Sequence, residues 1–219
     1  MEFMLNPIEI RILGSLMEKE VTTPEYYPLT LNALTRACNQ RSNRYPVIEF
    51  DEETVLQTLE GLTFDQNLAK RVISYDSRVP KYRHALTENL SLTPSEAAIL
   101  CVLMLRGRQT AGEIRGRTER LCDFANLAAV ETTLQSLMEH DCGPLVAKLP
   151  RQPGRKEARF AHLLCGELEP EDEDVPAVEA SDRQIGSERI EALINEIGAL
   201  RQELDALKQA FKEFKEQFE

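Results

Sequence analysis

The sequence Leu5-Asn6-Pro7-Ile8-Glu9 returns later in the chain as Leu92-Thr93-Pro94-Ser95-Glu96. The apolar positions after it keep the same register: Ile12, Leu13, Leu16 and Met17 correspond to Ile99, Leu100, Leu103 and Met104. A capping side chain before Pro, with Glu at the third helical position, is typical of a helix N-terminus, because both side chains satisfy its free N–H groups. The chain therefore contains two copies of one unit, each beginning with such a helix.

Two further helices are predicted after each opening helix. Their expected N-caps are Thr30 and Asp51 in the first copy and Thr110 and Asn126 in the second. The third helices carry apolar stripes at helical spacing, which are Val55, Leu59 and Leu62 in the first copy and Val130, Leu134 and Leu137 in the second. Such a stripe predicts one buried helix face in each copy.

A β-hairpin is predicted after each third helix. Residues 68–74 and 81–86 flank the first turn, and residues 145–149 and 157–164 flank the second, which contains Pro153-Gly154. Three helices followed by a hairpin is the order of a winged-helix domain, and the hairpin is the wing. We predict a mainly α fold with small β-hairpins, made of two tandem winged-helix domains over residues 1–90 and 91–166. The alternative is two unrelated helical bundles with hairpins.

Residues 167–183 form a predicted linker. The stretch is rich in Asp and Glu, contains two Pro and has no apolar pattern that could form a core. Repulsion between like charges then favours a flexible acidic segment. An alternative interpretation is a decoy that competes with DNA for basic surfaces of the same chain.

A heptad pattern begins after this linker, within residues 184–219. Apolar residues alternate at spacings of three and four, and the first six are Ile190, Leu193, Ile197, Leu200, Leu204 and Leu207. Ile at a positions with Leu at d positions favours a parallel two-stranded coiled coil, so we predict a homodimer through this helix. The alternative is a single helix that folds back onto its own domains.

The composition limits the class of protein. The formal net charge is -11, but residues 1–165 hold 20 basic and 21 acidic side chains, so the excess acid lies in the C-terminal part. A near-neutral body can still bind nucleic acid through local basic patches. The five Cys lack C-x-x-C spacing and indicate free thiols in a reducing compartment. With neither a signal peptide nor a membrane-spanning stretch in the sequence, we expect a cytoplasmic protein without a membrane partner.

Catalytic and cofactor motifs are not found in the sequence. It has no phosphate-binding Gly-rich loop, nucleophile elbow or H-E-x-x-H pattern. The pairs His162/Cys165 and His140/Cys142 do not complete a metal-ligand set. Cys38 lies on the apolar stripe of a short helix, which favours a buried structural thiol over a nucleophile. We therefore expect neither enzymatic activity nor a bound metal or cofactor.

Basic residues point to DNA instead. The candidate DNA-contact residues of the wings are Arg78, Lys81 and Arg83 in the first copy and Arg151, Arg155, Lys156 and Arg159 in the second. Further basic residues are Lys70, Arg71, Arg41 and Arg44 in the first copy and Arg106, Arg108, Arg115, Arg117 and Arg120 in the second. Basic hairpins suit phosphate contacts, because each neutralised phosphate releases a counterion.

The third helices argue against sequence readout. In a helix-turn-helix domain this helix enters the major groove, where Arg, Lys, Asn and Gln read the bases. Residues 51–66 and 126–140 contain no Lys or Arg, and the first range begins Asp51-Glu52-Glu53. Either the wings lead the binding to DNA, or the fold binds protein.

Four sequence segments resemble the YceH-like family of bacterial proteins. They are Glu18-Lys19-Glu20-Val21-Thr22-Thr23-Pro24-Glu25-Tyr26-Tyr27-Pro28-Leu29, Ala37-Cys38-Asn39-Gln40, Leu105-Arg106-Gly107 with Gln109-Thr110, and Pro153-Gly154-Arg155-Lys156-Glu157 with Arg159. The resemblance implies a tandem winged-helix fold that ends in a coiled coil, and it carries over no catalytic residue. Residues 21–29 are either a family-specific surface or, as we favour, a rigid connector held by Pro24 and Pro28.

Two functions are consistent with this sequence. The first is a homodimeric DNA-binding protein, of the kind that regulates transcription, whose basic wings hold double-stranded DNA. The second is a protein-interaction scaffold, similar in layout to the tandem winged-helix proteins of chromosome-segregation complexes, with an unknown protein partner.

Overall fold

The computed structural model describes residues 4–72, 79–151 and 157–166. Both wing tips fall outside these residues, and with them Arg78, Arg155 and Lys156. The predicted linker and all six predicted dimerisation residues, from Ile190 to Leu207, also lie outside the described residues.

Each repeat contains the elements that the sequence predicts, together with one additional strand. The first repeat consists of α1 (Pro7–Thr22), β1 (Leu29–Thr30), α2 (Leu31–Cys38), α3 (Glu52–Phe64), β2 (Ala69–Val72) and β3 (Lys81–His84). A short helix, α4 (Leu86–Asn89), leads to the second repeat. That repeat consists of α5 (Pro94–Arg106), β4 (Gln109–Thr110), α6 (Ala111–Thr118), α7 (Leu127–Met138), β5 (Val146–Lys148) and β6 (Arg159–His162).

The predicted helix starts are confirmed. The Asn6 side chain accepts hydrogen bonds from the backbone N–H of Ile8 and Glu9, and the Glu9 carboxylate accepts one from the Asn6 N–H at 2.7 Å. Thr93 and Glu96 form the same reciprocal capping box on α5. Thr30, Asp51, Thr110 and Asn126 cap the helices that follow them. These contacts are local, so the sequence pattern was sufficient to predict them.

A third strand completes each sheet. β1 pairs antiparallel with β3, with Leu29 opposite Tyr82. β4 pairs antiparallel with β6 in the same way, with Gln109 opposite Phe160. The strand orders are β1-β3-β2 and β4-β6-β5. The sequence pattern predicts the hairpins but not these strands, because a two-residue strand has no readable alternation. Their pairing joins each wing to the start of the second helix in its repeat.

The repeats pack on each other through their opening helices. Leu13 and Leu16 of α1 and Leu100 and Leu103 of α5 are fully buried, in one apolar core that extends through both repeats. At the crossing, a Cβ built on Gly14 would approach Leu105 Cδ2 to 2.9 Å, so only glycine fits without a shift. The predicted domain boundary, between residues 90 and 91, follows α4, and the repeats on either side of it form one compact unit.

Within residues 4–72, 79–151 and 157–166, no helix has the length and apolar character needed to cross a bilayer.

Candidate nucleic-acid interface

Two of the described cations of the first wing are tied to one carboxylate, that of Glu88. Arg83 on β3 donates to Glu88 at 2.6 Å, and Lys70 on β2 donates to the other oxygen of that carboxylate at 2.8 Å. The hydrogen bonds from Arg83 and then Lys70 lower the pKa of Glu88 to about 2. Lys81 lies on the same strand as Arg83 and is half-buried. The wing base therefore offers phosphates less positive charge than its sequence indicates.

Arg44 is not a surface cation, so its inclusion among the basic residues available to DNA was wrong. Its side chain is buried and donates to the Ala37 carbonyl and to both oxygens of Glu18. Burial would by itself raise the pKa of Glu18, but the hydrogen bonds and charge of Arg44 outweigh it and lower that pKa. Arg44 is therefore a structural residue of the loop between α2 and α3, whereas Arg41 in the same loop is exposed.

The base of the second wing lies next to the start of α6. β4–β6 pairing sets Arg159 opposite Thr110, which is the N-cap of α6. The Arg159 guanidinium donates to the Arg108 carbonyl at 3.3 Å and lies 3.8 Å from Glu113. Arg151 is exposed, in the loop that follows β5. Arg159 of this wing base thus lies at the start of a helix that itself carries arginines.

Arginines continue along and beyond α6. Arg115 and Arg120 are exposed, and Arg117 donates to the buried Gln109 at 2.8 Å. Arg106, at the end of α5, donates to Asn43 of the first repeat. Arg106, Arg117 and Arg120 line a cleft of about 440 Å³ that also touches Lys19. Three of the five arginines predicted to cluster around α6 therefore line one cleft.

Of the two helices in the recognition position, α3 has an acidic solvent face, and α7 has a polar one with a single carboxylate. On α3 the exposed side chains include Glu53, Gln57 and Glu60, and on α7 they include Glu131 and Gln135. Both helices bury the apolar stripes predicted for them. A carboxylate repels phosphate, and in the major groove it can only accept hydrogen bonds from base amino groups, such as that of cytosine. These faces are poorly suited to enter a DNA groove.

The thiols and imidazoles form no recognisable reactive site among the described residues. Cys38 is buried as predicted, and burial raises the pKa of its thiol to about 11. All five cysteines are free thiols. In residues 4–72, 79–151 and 157–166, no three His, Cys, Asp or Glu side chains converge as metal ligands would.

Residues 21–29 connect α1 to the first sheet. They contain a 3-10 turn, Pro24–Tyr26, and end in β1. The Tyr27 hydroxyl accepts a hydrogen bond from the His84 backbone N–H at 2.9 Å, and His84 Nε2 lies 2.7 Å from a Glu20 oxygen. These contacts support the interpretation of the segment as a structural connector.

One surface was missed by the sequence analysis. Tyr45, Val47 and Ile48, in the loop between α2 and α3, are exposed apolar side chains. The signal was present in the sequence, as an apolar run directly before the Asp51 N-cap. An apolar run by itself does not show whether the fold will cover its side chains.

Comparison with known proteins places the chain in a family. A family model described as "Protein of unknown function, DUF480" matches residues 5–155. The chain is 53% identical to a UPF0502 protein of Geobacter sulfurreducens, with 100% of both chains covered. It is 50% identical to a UPF0502 protein of Pelobacter propionicus over the same coverage, and 49% identical to one of Vibrio cholerae over 77% of this chain and 80% of that protein. The chain therefore belongs to the DUF480 family, in agreement with its resemblance to YceH-like proteins.

Proposed function

We propose that this protein is a cytoplasmic, homodimeric DNA-binding protein that holds duplex phosphates mainly through its second repeat. The observation that carries the proposal is the position of the arginines in that repeat. Arg115 and Arg120 are exposed on and after α6, and the start of this helix is joined to the second wing through Arg159, which is paired with Glu113 and the Arg108 carbonyl.

This position matches a known mode of docking. In helix-turn-helix proteins the helix before the recognition helix crosses the DNA backbone, while a wing contacts phosphates or the minor groove. α6 is the helix in that position. Arginine suits the role, because its planar guanidinium binds phosphate with two parallel hydrogen bonds and stays charged.

The solvent faces of α3 and α7, which carry carboxylates and no Lys or Arg, set the expected type of binding. Contacts to phosphates carry no sequence information directly, and these faces have few side chains suited to reading bases. We expect binding that depends strongly on salt and weakly on sequence, as an accessory or architectural regulator of transcription would show.

Two further parts of the proposal rest on other features. The five free thiols support a reducing compartment, hence the cytoplasm. The homodimer rests on the heptad pattern of the sequence.

The test is titration of the full chain into labelled random-sequence duplex, with anisotropy followed at several salt concentrations. The variant Arg115→Gln/Arg120→Gln should weaken binding equally on different sequences and reduce the slope of log affinity against log salt by about 2. The matched control Arg36→Gln/Arg71→Gln removes two exposed arginines of the first repeat and should change the slope little.

Two results would contradict the proposal. Absence of binding at low salt would exclude DNA as the ligand. Equal losses in the variant and its control would show that the second repeat is not the main interface.

A second candidate function, the protein-interaction scaffold, is favoured by α3. Its outer face combines Glu53 and Glu60 with Phe64, whose side chain is 74% exposed. An exposed aromatic beside carboxylates is more typical of a protein-binding surface than of a DNA-binding one. If this is the function, charge reversal at Glu53 and Glu60 should abolish partner capture, while Arg115→Gln/Arg120→Gln should not affect it.

A further inference from the structure

The loop between α2 and α3 exposes apolar side chains close together. Tyr45 is 53% exposed, Val47 58% and Ile48 39%, within four consecutive residues. Isolated apolar residues on a protein surface are common, but neighbouring ones on a single loop mark an interaction site. In the second repeat the segment between α6 and α7 is shorter and carries Phe124, which is buried.

This loop is held in place by buried polar contacts. Arg11, itself buried, donates to the carbonyls of Cys38 at 3.1 Å and Pro46 at 2.6 Å. The Asn39 side chain donates to the Phe50 carbonyl at 2.7 Å and accepts from the Phe50 N–H at 3.0 Å. A loop fixed in this way loses little conformational entropy when a partner binds.

The tip is also anchored to the second repeat. The Tyr45 N–H donates to the Leu105 carbonyl at 2.8 Å. The neighbouring Arg44 side chain donates to the carbonyls of Asn43 and Ala37. The exposed apolar side chains are therefore presented at a defined place and do not depend on a partner for their position.

Negative charge surrounds one side of this apolar tip. Glu49, Asp51, Glu52 and Glu53 are all exposed and follow it directly, at the start of α3. No Lys or Arg occurs between residues 45 and 69. The carboxylates exclude phosphate from this surface and favour a cationic partner.

We propose that this apolar-acidic surface, formed by Tyr45, Val47, Ile48, Glu49 and Glu53, docks a protein segment that carries apolar side chains flanked by Lys or Arg. The apolar side chains of the segment pack on Val47 and Ile48, and its cations face Glu49 and Glu53. The inference goes beyond the proposed DNA binding and does not depend on it. It gives the two repeats different ligands, DNA for the second and a basic protein segment for the first.

The test begins with selection of peptides from a random display library on the full-length protein. Enriched sequences should combine apolar residues with Lys or Arg. A labelled enriched peptide is then titrated with the variant Val47→Ser/Glu49→Lys, for which we expect at least a tenfold loss of affinity. Both replaced side chains are exposed, so the fold should persist, as circular dichroism and the melting temperature will show.

The matched control is Leu127→Ser/Glu131→Lys. It makes the corresponding replacements at exposed positions on α7 of the second repeat and should leave peptide binding unchanged. Failure to enrich any peptide, enrichment of acidic peptides, or equal loss in variant and control would each overturn the proposal. Dissociation of the protein into monomers by Val47→Ser/Glu49→Lys would assign the surface to a second copy of the chain and overturn it too.

DNA binding of the same variants separates the two proposals. Val47→Ser/Glu49→Lys should leave the salt dependence of duplex binding within the range of the unmodified protein. A chain that binds the selected peptide but not DNA would reject the proposed function and support this inference.

Discussion

Arg44 and Glu18 form an ion pair inside the molecule, with 2.7 Å between a guanidinium nitrogen and a carboxylate oxygen, and the Arg44 side chain is completely buried. The same guanidinium holds the carbonyls of Ala37 and Asn43. One residue therefore links α1, the end of α2 and the loop that carries the apolar-acidic surface. A loop without this link would leave a buried carboxylate and two carbonyls without their donor.

Replacing Arg44 should be costly. Arg44→Met removes the two hydrogen bonds that Glu18 accepts from Arg44 and leaves this largely buried carboxylate with Lys19 alone, 3.6 Å away, so it should lower the free energy of unfolding by about 3 kcal/mol. Urea unfolding followed by circular dichroism measures this free energy. The neighbouring Arg41→Met replaces an exposed arginine and should change stability by less than about 0.5 kcal/mol. Similar values for both variants would show that the ion pair contributes nothing.

Replacing two helical glycines by alanine should change the stability of the protein in opposite directions. At Gly14, the new methyl would meet Leu105 at the crossing of α1 and α5, and we expect a net loss of about 1–2 kcal/mol. At Gly116, in α6, no atom lies within 4 Å of the new methyl, so the higher helix propensity of alanine should raise stability by up to about 1 kcal/mol. Thermal unfolding measures both. A stabilising Gly14→Ala would mean that the two repeats are not in close contact at this point.

His162 should couple stability to pH. Burial lowers its pKa to about 4, and its Nδ1 is buried without a hydrogen-bond partner. The unfolded chain binds this proton near pH 6.5 and the folded chain only near pH 4. Stability is therefore complete above pH 6.5 and falls by up to about 1.4 kcal/mol per pH unit as the pH drops through that window.

Proton NMR of the His162 imidazole measures the shift directly, with a midpoint expected near pH 4. The variant His162→Asn should flatten the dependence of unfolding free energy on pH between 4 and 6.5. An imidazole that titrates near pH 6.5 would contradict the prediction.

The heptad pattern predicts an oligomeric state. Sedimentation equilibrium should give twice the chain mass of 24.9 kDa. Leu200→Asp places a charge in the predicted apolar seam and should yield monomers. Glu203→Gln, beside the seam, should leave the dimer intact. A monomeric full-length chain would favour the alternative of a single helix.

The elements governed by contacts within a few residues could be predicted from the sequence. Asn6 with Glu9, and Thr93 with Glu96, cap their helices through bonds that span three residues, so the pattern and the structure coincide. The same holds for the buried stripe of α3, since the helical period alone sets which side chains share a face. For the candidate site, the sequence could identify the cluster of arginines around α6, because they are near one another along the chain.

Contacts between distant residues were decided only by the tertiary structure. Nothing near Arg44 in the sequence distinguishes it from the exposed Arg41, because its partner Glu18 is 26 residues away. The pairing of Arg83 with Glu88 likewise decides how much of the first wing's charge remains available. The sequence by itself determined the helices, hairpins and repeat, whose causes are local. The packing of α1 against α5, and the loops fixed around it, decided which cations face solvent. The same packing decided which apolar side chains are left uncovered.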